Sequence, residues 1–164
     1  MSNYHGLATS AIVKVLSDAQ TLPSATSVDS TNMVEVGLAT KGNLWINVYA
    51  NTDITIATGQ AFNIELEGYT ADTAASATPP FSVDNGGMAT SVNGGGTAES
   101  DAHFYLLHKT SADGELAFSA GDLITQIAVP EDLFRALSYD FAQLKYTTDA
   151  NESSEKVDAI AFYK

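Results

Sequence analysis

Residues 60–69 read QAFNIELEGY, and this stretch alternates apolar and polar side chains with a period of two. Every second residue from Phe62 to Leu66 is apolar, while Glu65 and Glu67 fall on the opposite side. Such alternation predicts a β-strand with one buried face and one face in water. A pair of carboxylates on one strand face can serve glycoside hydrolysis. Solvation is the commoner use, so we expect Glu65 and Glu67 to be exposed and to play no catalytic part.

The rest of the chain contains further short runs of the same character. Each run is rich in β-branched or aromatic residues, and turn-forming residues flank it, as expected for strands. The predicted strands are residues 11–16, 32–36, 44–50, 61–69, 103–109, 115–118, 123–129, 141–147 and 157–163. Short strands at this spacing predict an all-β fold, a jelly roll or β-sandwich built as a single domain with long loops.

Three segments depart from the strand pattern. Residues 1–10 are predicted to be an N-terminal arm, and residues 11–164 form the predicted jelly-roll domain. Within that domain, residues 70–100 hold two glycine-rich stretches and are predicted to be a long loop, a class of segment that is often functional. Residues 130–137 begin with proline and two acids, which favours a short helical connector.

The composition excludes several classes of partner. The 164 residues include 20 acids against seven Lys and Arg, for a net charge of −13. Nucleic-acid binding needs clustered basic groups, and Arg135 is the only arginine. We therefore expect no nucleic-acid partner and no membrane partner. The absence of cysteine excludes disulfides and thiolate chemistry, and the first residues lack the pattern of a signal peptide.

No familiar catalytic or cofactor-binding motif occurs in the sequence. His103 and His108 fall on opposite faces of one predicted strand, so they cannot share a metal without a β-bulge. Residues 84–86 and 149–152 offer oxygen ligands without the spacing of an EF-hand. The sequence therefore predicts a protein that is not an enzyme and has no cofactor, with an irregular calcium site left open.

Several segments, taken in order, resemble the capsid cement (decoration) proteins of tailed bacteriophages, of the jelly-roll type known from a Bordetella phage. The resemblance covers most of the chain, and its weight lies in the order and spacing of short motifs. The motifs are residues 16–20, 30–32, 34–37, 44–48, 62–66, Pro130, Tyr139, 141–146 and 159–163.

The resemblance implies a jelly-roll protomer without enzymatic activity. Proteins of this family form homotrimers on the outer surface of the virion head, over its three-fold positions. The implied partners are therefore a second and third copy of the chain and the major capsid protein. The implied location is the virion, after synthesis in the host cytoplasm.

Two segments without a place in the predicted core carry apolar or aromatic side chains. We expect one or both of them to contact the capsid or a neighbouring protomer. The candidate contact residues are Tyr4, His5 and Leu7 in the arm, and Phe81, Val83 and Met88 in the predicted loop.

A carbohydrate- or cell-surface-binding β-sandwich, with or without a requirement for calcium, is the alternative interpretation of the sequence. Its stacking residues would be Trp45, Tyr49 and Tyr69. Trp45 and Tyr49 share strand parity, so both are expected to face a surface while Ile46 and Val48 enter the core.

Overall fold

The computed structural model describes residues 12–36, 42–58, 60–69, 81–83, 89–92, 104–108, 115–136 and 139–164. These residues form strands and one short helix. In chain order the elements are β1 (Ile12–Thr21), β2 (Ser24–Asp29), β3 (Val34–Glu35), β4 (Leu44–Ala50), β5 (Ile54–Ile56), β6 (Phe62–Tyr69), β7 (Phe81–Val83), β8 (Ala89–Val92), β9 (Phe104–His108), β10 (Leu116–Phe118), β11 (Leu123–Ala128), α1 (Glu131–Ala136), β12 (Phe141–Asn151) and β13 (Lys156–Tyr163).

Two largely antiparallel sheets pack face to face. The smaller sheet has the strand order β1-β13-β4-β11, and the larger has the order β2-β12-β6-β9-β7-β8, with β3 also on β12. Strands β5 and β10 form a separate pair. The predicted all-β sandwich is therefore confirmed.

The first half of the chain pairs with the second half in reverse order. Strand β1 pairs with β13, β2 with β12, β4 with β11, and β6 with β9. Each of these pairs is antiparallel, as in one long hairpin wrapped over itself. Residues far apart in sequence thereby become neighbours. Strand β12 also pairs with β6, which is not its nested partner, and this pairing sets which side chains of the two strands meet.

The core lies between the two sheets. Ile46 and Val48 of β4 and Ile64 and Leu66 of β6 are fully buried and belong to one hydrophobic cluster. Burial of each such side chain contributes about 1.5–3 kcal/mol. The apolar residues of β4 and β6 therefore face the core, as the alternation in their sequences predicts.

A buried hydrogen bond between two side chains joins the two sheets. Tyr146 of β12 reaches Ser17 of β1, and the two hydroxyl oxygens are 2.9 Å apart. Both residues are fully buried. Burial and the negative charge of Asp158 raise the pKa of the Tyr146 hydroxyl, although the bond to Ser17 acts in the opposite direction. The hydroxyl therefore stays protonated and links the sheets.

The predicted helical connector is present as α1, which packs onto the sandwich through the fully buried Phe134. Its first residue, Glu131, accepts a hydrogen bond from the backbone N–H of Leu44 at 2.7 Å. The helix thus caps the beginning of β4.

Four observed strands lie outside the predicted set. β2 and β5 fall in stretches that the sequence predicts to be connections between strands, and β7 and β8 fall within residues 70–100. The predicted long loop therefore contributes two short strands to the larger sheet.

Candidate functional site on the outer face of the larger sheet

Two neighbouring strands, β6 and β12, bring polar side chains together on the outer face of the larger sheet. In the antiparallel register Lys145 lies opposite Glu65 on one side and opposite Asp29 of β2 on the other. Two residues further along each strand, Gln143 lies opposite Glu67. Opposed residues of an antiparallel pair share a face. These five residues therefore form one polar group directed away from the core, here called the Lys145 cluster.

Two acids of the Lys145 cluster are buried. Glu67 has no exposed surface, and Glu65 is 6% exposed. The prediction that both are exposed, solvating residues is therefore wrong. The alternation of β6 correctly separates two faces, but the polar face is also shielded from water, which a strand pattern does not reveal.

Both oxygens of Glu67 accept hydrogen bonds. The Lys145 Nζ atom donates to Oε1 at 2.5 Å, and the Tyr69 hydroxyl donates to Oε2. Tyr69 stands two residues beyond Glu67 on β6, so it shares the same face. A buried carboxylate is costly unless it is paired and hydrogen-bonded. Here the pairing holds Glu67 as an ionised acceptor.

Lys145 keeps its charge in this environment. Burial alone would lower the pKa of its ammonium group, but the hydrogen bond to Glu67 and the charge of Glu67 act against burial. The charges of Asp29 and Glu65 add to the same effect, and together these groups raise the pKa above its ordinary value. The lysine is therefore a fixed cation and not a base at neutral pH.

Gln143 connects the Lys145 cluster to the chain after β2. Its side-chain N–H donates to the Ser30 carbonyl at 2.8 Å, while its buried Oε1 has no partner within the described part of the chain. The Ser30 hydroxyl in turn donates to the Asn32 carbonyl and accepts from the backbone of Leu144. This network fixes the position of Gln143 beside Glu67.

The geometry of the Lys145 cluster fixes charges in place. Both oxygens of Glu67 accept hydrogen bonds, and the raised pKa of Lys145 keeps its ammonium group protonated near neutral pH. What the cluster does is join β2, β12 and β6 through side chains as well as through backbone bonds.

Lys145 and Gln143 were not among the residues selected from sequence. A usable signal exists, because residues 141–147 alternate with the same period as β6 and place Gln143 and Lys145 on one face. A lysine is uncommon in so acidic a chain. Only the pairing of β12 with β6 places that lysine opposite Glu65.

Most of the predicted contact residues cannot be placed. Tyr4, His5, Leu7 and Met88 lie outside the described residues. Phe81 and Val83 lie on β7, which pairs with β8 and runs parallel to β9 near one edge of the larger sheet. The contact role of these six residues stays a prediction.

The three aromatic residues of the carbohydrate alternative do not come together. Trp45 and Tyr49 are partly exposed on the outer face of β4 in the smaller sheet, as their parity predicts. The Lys164 ammonium lies 5.2 Å from the centre of the Trp45 ring, and Asn47 donates to the Tyr49 hydroxyl at 2.8 Å. Tyr69 is buried on the larger sheet, bonded to Glu67. Trp45 and Tyr49 alone remain for stacking.

Two of the residues considered as calcium ligands lie in the described part of the chain with other surroundings. Asp149 accepts a hydrogen bond from the backbone of Ala61 at 2.6 Å, and Glu152 is buried. Residues 84–86 lie outside the described ranges. Within those ranges, groups of three or more Asp, Glu, His or Cys side chains arranged to hold a metal ion are absent. A helix of the length and apolarity that a membrane crossing requires is likewise absent from the described residues.

Comparison with known proteins gives no relative to place beside these observations: no family model, no curated protein and no solved structure matches the chain.

Proposed function

We propose that the chain is a structural capsid decoration protein, which binds the outside of a tailed-phage head as a homotrimer and stabilises the shell. One observation carries the proposal: segments that resemble the decoration family lie on strands of the nested sandwich. Residues 44–48 fall on β4, 62–66 on β6, 141–146 on β12 and 159–163 on β13. The nested pairing is also the order expected when a sandwich is a jelly roll.

A jelly-roll trimer suits this role on physical grounds. Multivalent binding by three linked protomers raises the overall affinity well above that of a single contact. The Lys145 cluster and the bond between Tyr146 and Ser17 tie strands together within and across the sheets. A protomer reinforced in this way can transmit load between capsid subunits.

Binding to heads tests the proposal directly. The probe is a preparation of expanded, undecorated heads assembled from the major capsid protein encoded in the same genome. We expect the chain to sediment with these heads at micromolar concentration, in multiples of three copies per site, and to raise the temperature at which the heads break. A chain that stays in the supernatant and is a monomer by light scattering would contradict the proposal.

The predicted contact segments can be tested in the same assay. Deletion of residues 1–8, or replacement of residues 84–88 between β7 and β8 by a short Gly-Ser linker, is expected to weaken sedimentation with heads while the circular dichroism spectrum of the sandwich is kept. If both variants decorate heads as tightly as the parent, the contact lies on the sandwich body instead.

Carbohydrate binding is the second candidate, and the partly exposed pair Trp45 and Tyr49 favours it. Trp45 is the only tryptophan in the chain, so fluorescence excited selectively in tryptophan reports on this face alone. Titration with neutral oligosaccharides should shift the emission if sugar stacks on Trp45, and the variant Tyr49→Ala should weaken the response. An unchanged spectrum across a glycan panel, together with head binding, would favour decoration.

A further inference from the structure

The smaller sheet ends in β11, and one side of this strand has no ladder partner among the described residues. Its other side pairs with β4. Directly after β11, the N–H of Val129 donates to the Leu44 carbonyl of β4 at 2.9 Å. The backbone groups of successive strand residues point in alternate directions. Those of Ile127 therefore also point to β4, while those of Gln126 and Ala128 point to the open edge.

The two edges of the smaller sheet differ in how they are protected. β1, at the far edge, carries the exposed charges of Lys14 and Asp18 and three irregularities in its register. β11 reads LITQIA, holds no charge and no proline, and has one irregularity near its first residue. Charges, prolines and bulges are features by which natural edge strands avoid pairing with other chains. β11 therefore lacks most of the protection that β1 has.

An exposed apolar side chain lies on the same edge strand. Leu123, the first residue of β11, is 48% exposed, and no other large hydrophobic side chain of the described residues is exposed. Gln126 and Ala128 are exposed as well. Removal of apolar surface from water is favourable. A strand added beside β11 would therefore gain side-chain contacts in addition to backbone hydrogen bonds.

Charge favours a second copy of β11 as the occupant of this edge. The chain carries −13, so much of its surface repels another copy. Like charges directly opposite each other destabilise a strand pair, and an antiparallel pair of β11 strands brings none together. The acids that flank the strand are held by backbone donors of their own chain: Asp122 accepts from Ser119 at 2.8 Å, and Glu131 accepts from Leu44 at 2.7 Å. Self-pairing therefore meets little electrostatic resistance at β11.

The directions of the backbone groups restrict the register of such a pair. Residues that point to the open edge must face each other for the ladder to continue. This condition is met when Gln126 lies opposite its own counterpart, and Ala128 then lies opposite Ile124. The same register overlaps nearly the whole strand. The Gln126 side chain is already held on the outer face, because its Nε2 atom donates to Asn47 at 2.8 Å.

We propose that two copies of the chain join edge to edge through β11, antiparallel across a two-fold axis at Gln126. The contact merges two four-stranded sheets into one continuous sheet. It is isologous, so it differs from the three-fold contact of a trimer. The inference goes beyond the proposed function and does not depend on it. A single strand pair is a small interface, so the contact is weak alone and gains strength where each assembly presents several edges.

Disulfide trapping tests the register. The chain has no cysteine, so the variant Gln126→Cys provides its one thiol. The Cα atoms of a hydrogen-bonded antiparallel pair are about 5.5 Å apart, which lies within the roughly 4.4–6.8 Å that a disulfide spans. We expect mild oxidation to convert most of this variant into a covalent dimer on a non-reducing gel.

Ala128→Cys is the matched control for trapping, because Ala128 is exposed on the same strand. In the proposed register its own counterpart is four residues away along the strand, or roughly 13 Å. This variant should therefore stay uncross-linked under the same oxidation. Cross-linking of Ala128→Cys as fast as that of Gln126→Cys would overturn the proposal, and so would the absence of a Gln126→Cys dimer.

Charge variants test the contact without a covalent bond. Gln126→Lys and Gln126→Glu each place like charges opposite each other at the axis, so we expect about tenfold weaker self-association by sedimentation velocity. An equimolar mixture of the two variants opposes unlike charges and should associate at least as tightly as the parent. A mixture that associates no more tightly than either variant alone would contradict the two-fold contact at Gln126.

Two controls separate this contact from other effects. Thr26→Lys adds the same charge to β2, an exposed edge strand of the larger sheet, and should leave self-association unchanged. Circular dichroism checks that each variant keeps the sandwich. Sedimentation of the parent with heads is an independent measurement. Its failure would count against decoration and leave the β11 contact standing.

Discussion

At the scale of the residue, Ala19 occupies a position with left-handed backbone conformation. Ala19 has φ of +48° at an irregularity between Ser17 and Gln20 of β1, and its N–H donates to Asp158 at 2.7 Å. Left-handed backbone costs a non-glycine residue roughly 1–2 kcal/mol. The hydrogen bond to Asp158 is an interaction that holds the chain in this conformation.

Glycine at position 19 should therefore stabilise the fold. We expect Ala19→Gly to raise the free energy of unfolding by roughly 1 kcal/mol, or the melting temperature by about 2–4 °C. Ala117→Gly is the control, because Ala117 is an exposed strand residue without positive φ and should lose about 0.5–1 kcal/mol. Equal losses in both variants by urea unfolding would show that Ala19 is unstrained.

The buried ion pair provides a second test at this scale. Glu67→Gln removes the carboxylate that accepts from Lys145 but keeps an oxygen for Tyr69, so a half-buried ammonium loses its hydrogen-bonded counter-charge while Asp29 and Glu65 still face it. Breaking a buried pair in this way costs about 3–5 kcal/mol. We expect a loss near the lower end of that range by urea unfolding, because Lys145 remains 27% exposed.

A double variant separates pairing from packing at this site. If the loss comes from the unpaired charge, Glu67→Gln combined with Lys145→Met should be more stable than the sum of the single changes predicts. Glu115→Gln, which removes an exposed acid, should change the stability by no more than about 0.5 kcal/mol. If Glu67→Gln changes the stability as little as Glu115→Gln does, Glu67 behaves as a solvating residue and its ion pair contributes little to folding.

At the scale of the element, α1 packs closely on β6 because position 68 is glycine. A methyl group built there would come within 2.9 Å of the Tyr139 ring and 3.2 Å of the Phe134 ring. These two rings meet edge to face, with centres 6.1 Å apart. Neither ring can move without disturbing the other.

Gly68→Ala should therefore displace α1. Overpacking of this kind costs about 1–3 kcal/mol, measurable as a lower midpoint in urea. Tyr139→Ala removes the nearest ring, so the double variant should lose less than the two single losses added together. Additive losses would indicate that α1 is loosely attached at this point.

The strands show what the sequence could and could not predict. β4 begins and ends where its pattern does, because hydrophobic alternation is a local property of residues 44–50. β2 was missed, because Ser24, Thr26 and Ser27 are small, polar and exposed. Its residues are strand because β12 offers backbone partners to them, and such a partner is not visible in a local window.

The same limit applies to the candidate site. The alternation in β6 correctly places Glu65 and Glu67 on one face, but whether that face meets water depends on groups distant in sequence. Lys145 lies 78 residues from Glu67. Strand parity gives the direction of a side chain, and only tertiary structure gives its partner.

At the scale of the whole molecule, charge is the property most directly tied to assembly. Three chains of −13 each carry −39, so a trimer accumulates strong self-repulsion. Dissolved ions screen this repulsion, with a Debye length of about 8 Å at physiological salt and 30 Å at 0.01 M. Ion pairs across an interface would respond in the opposite direction, because salt weakens them.

We therefore expect moderate salt to stabilise the proposed trimer. Between 0.01 and 0.15 M sodium chloride, the melting temperature should rise and light scattering should show a larger trimer fraction at a fixed protein concentration. Potassium chloride at matched ionic strength should act alike, because screening depends on ionic strength and not on the cation. A melting temperature that falls steadily over this range would mean that attractive ion pairs dominate the assembly. A trimer fraction that does not respond would mean that the acidic residues lie far from the protomer contacts.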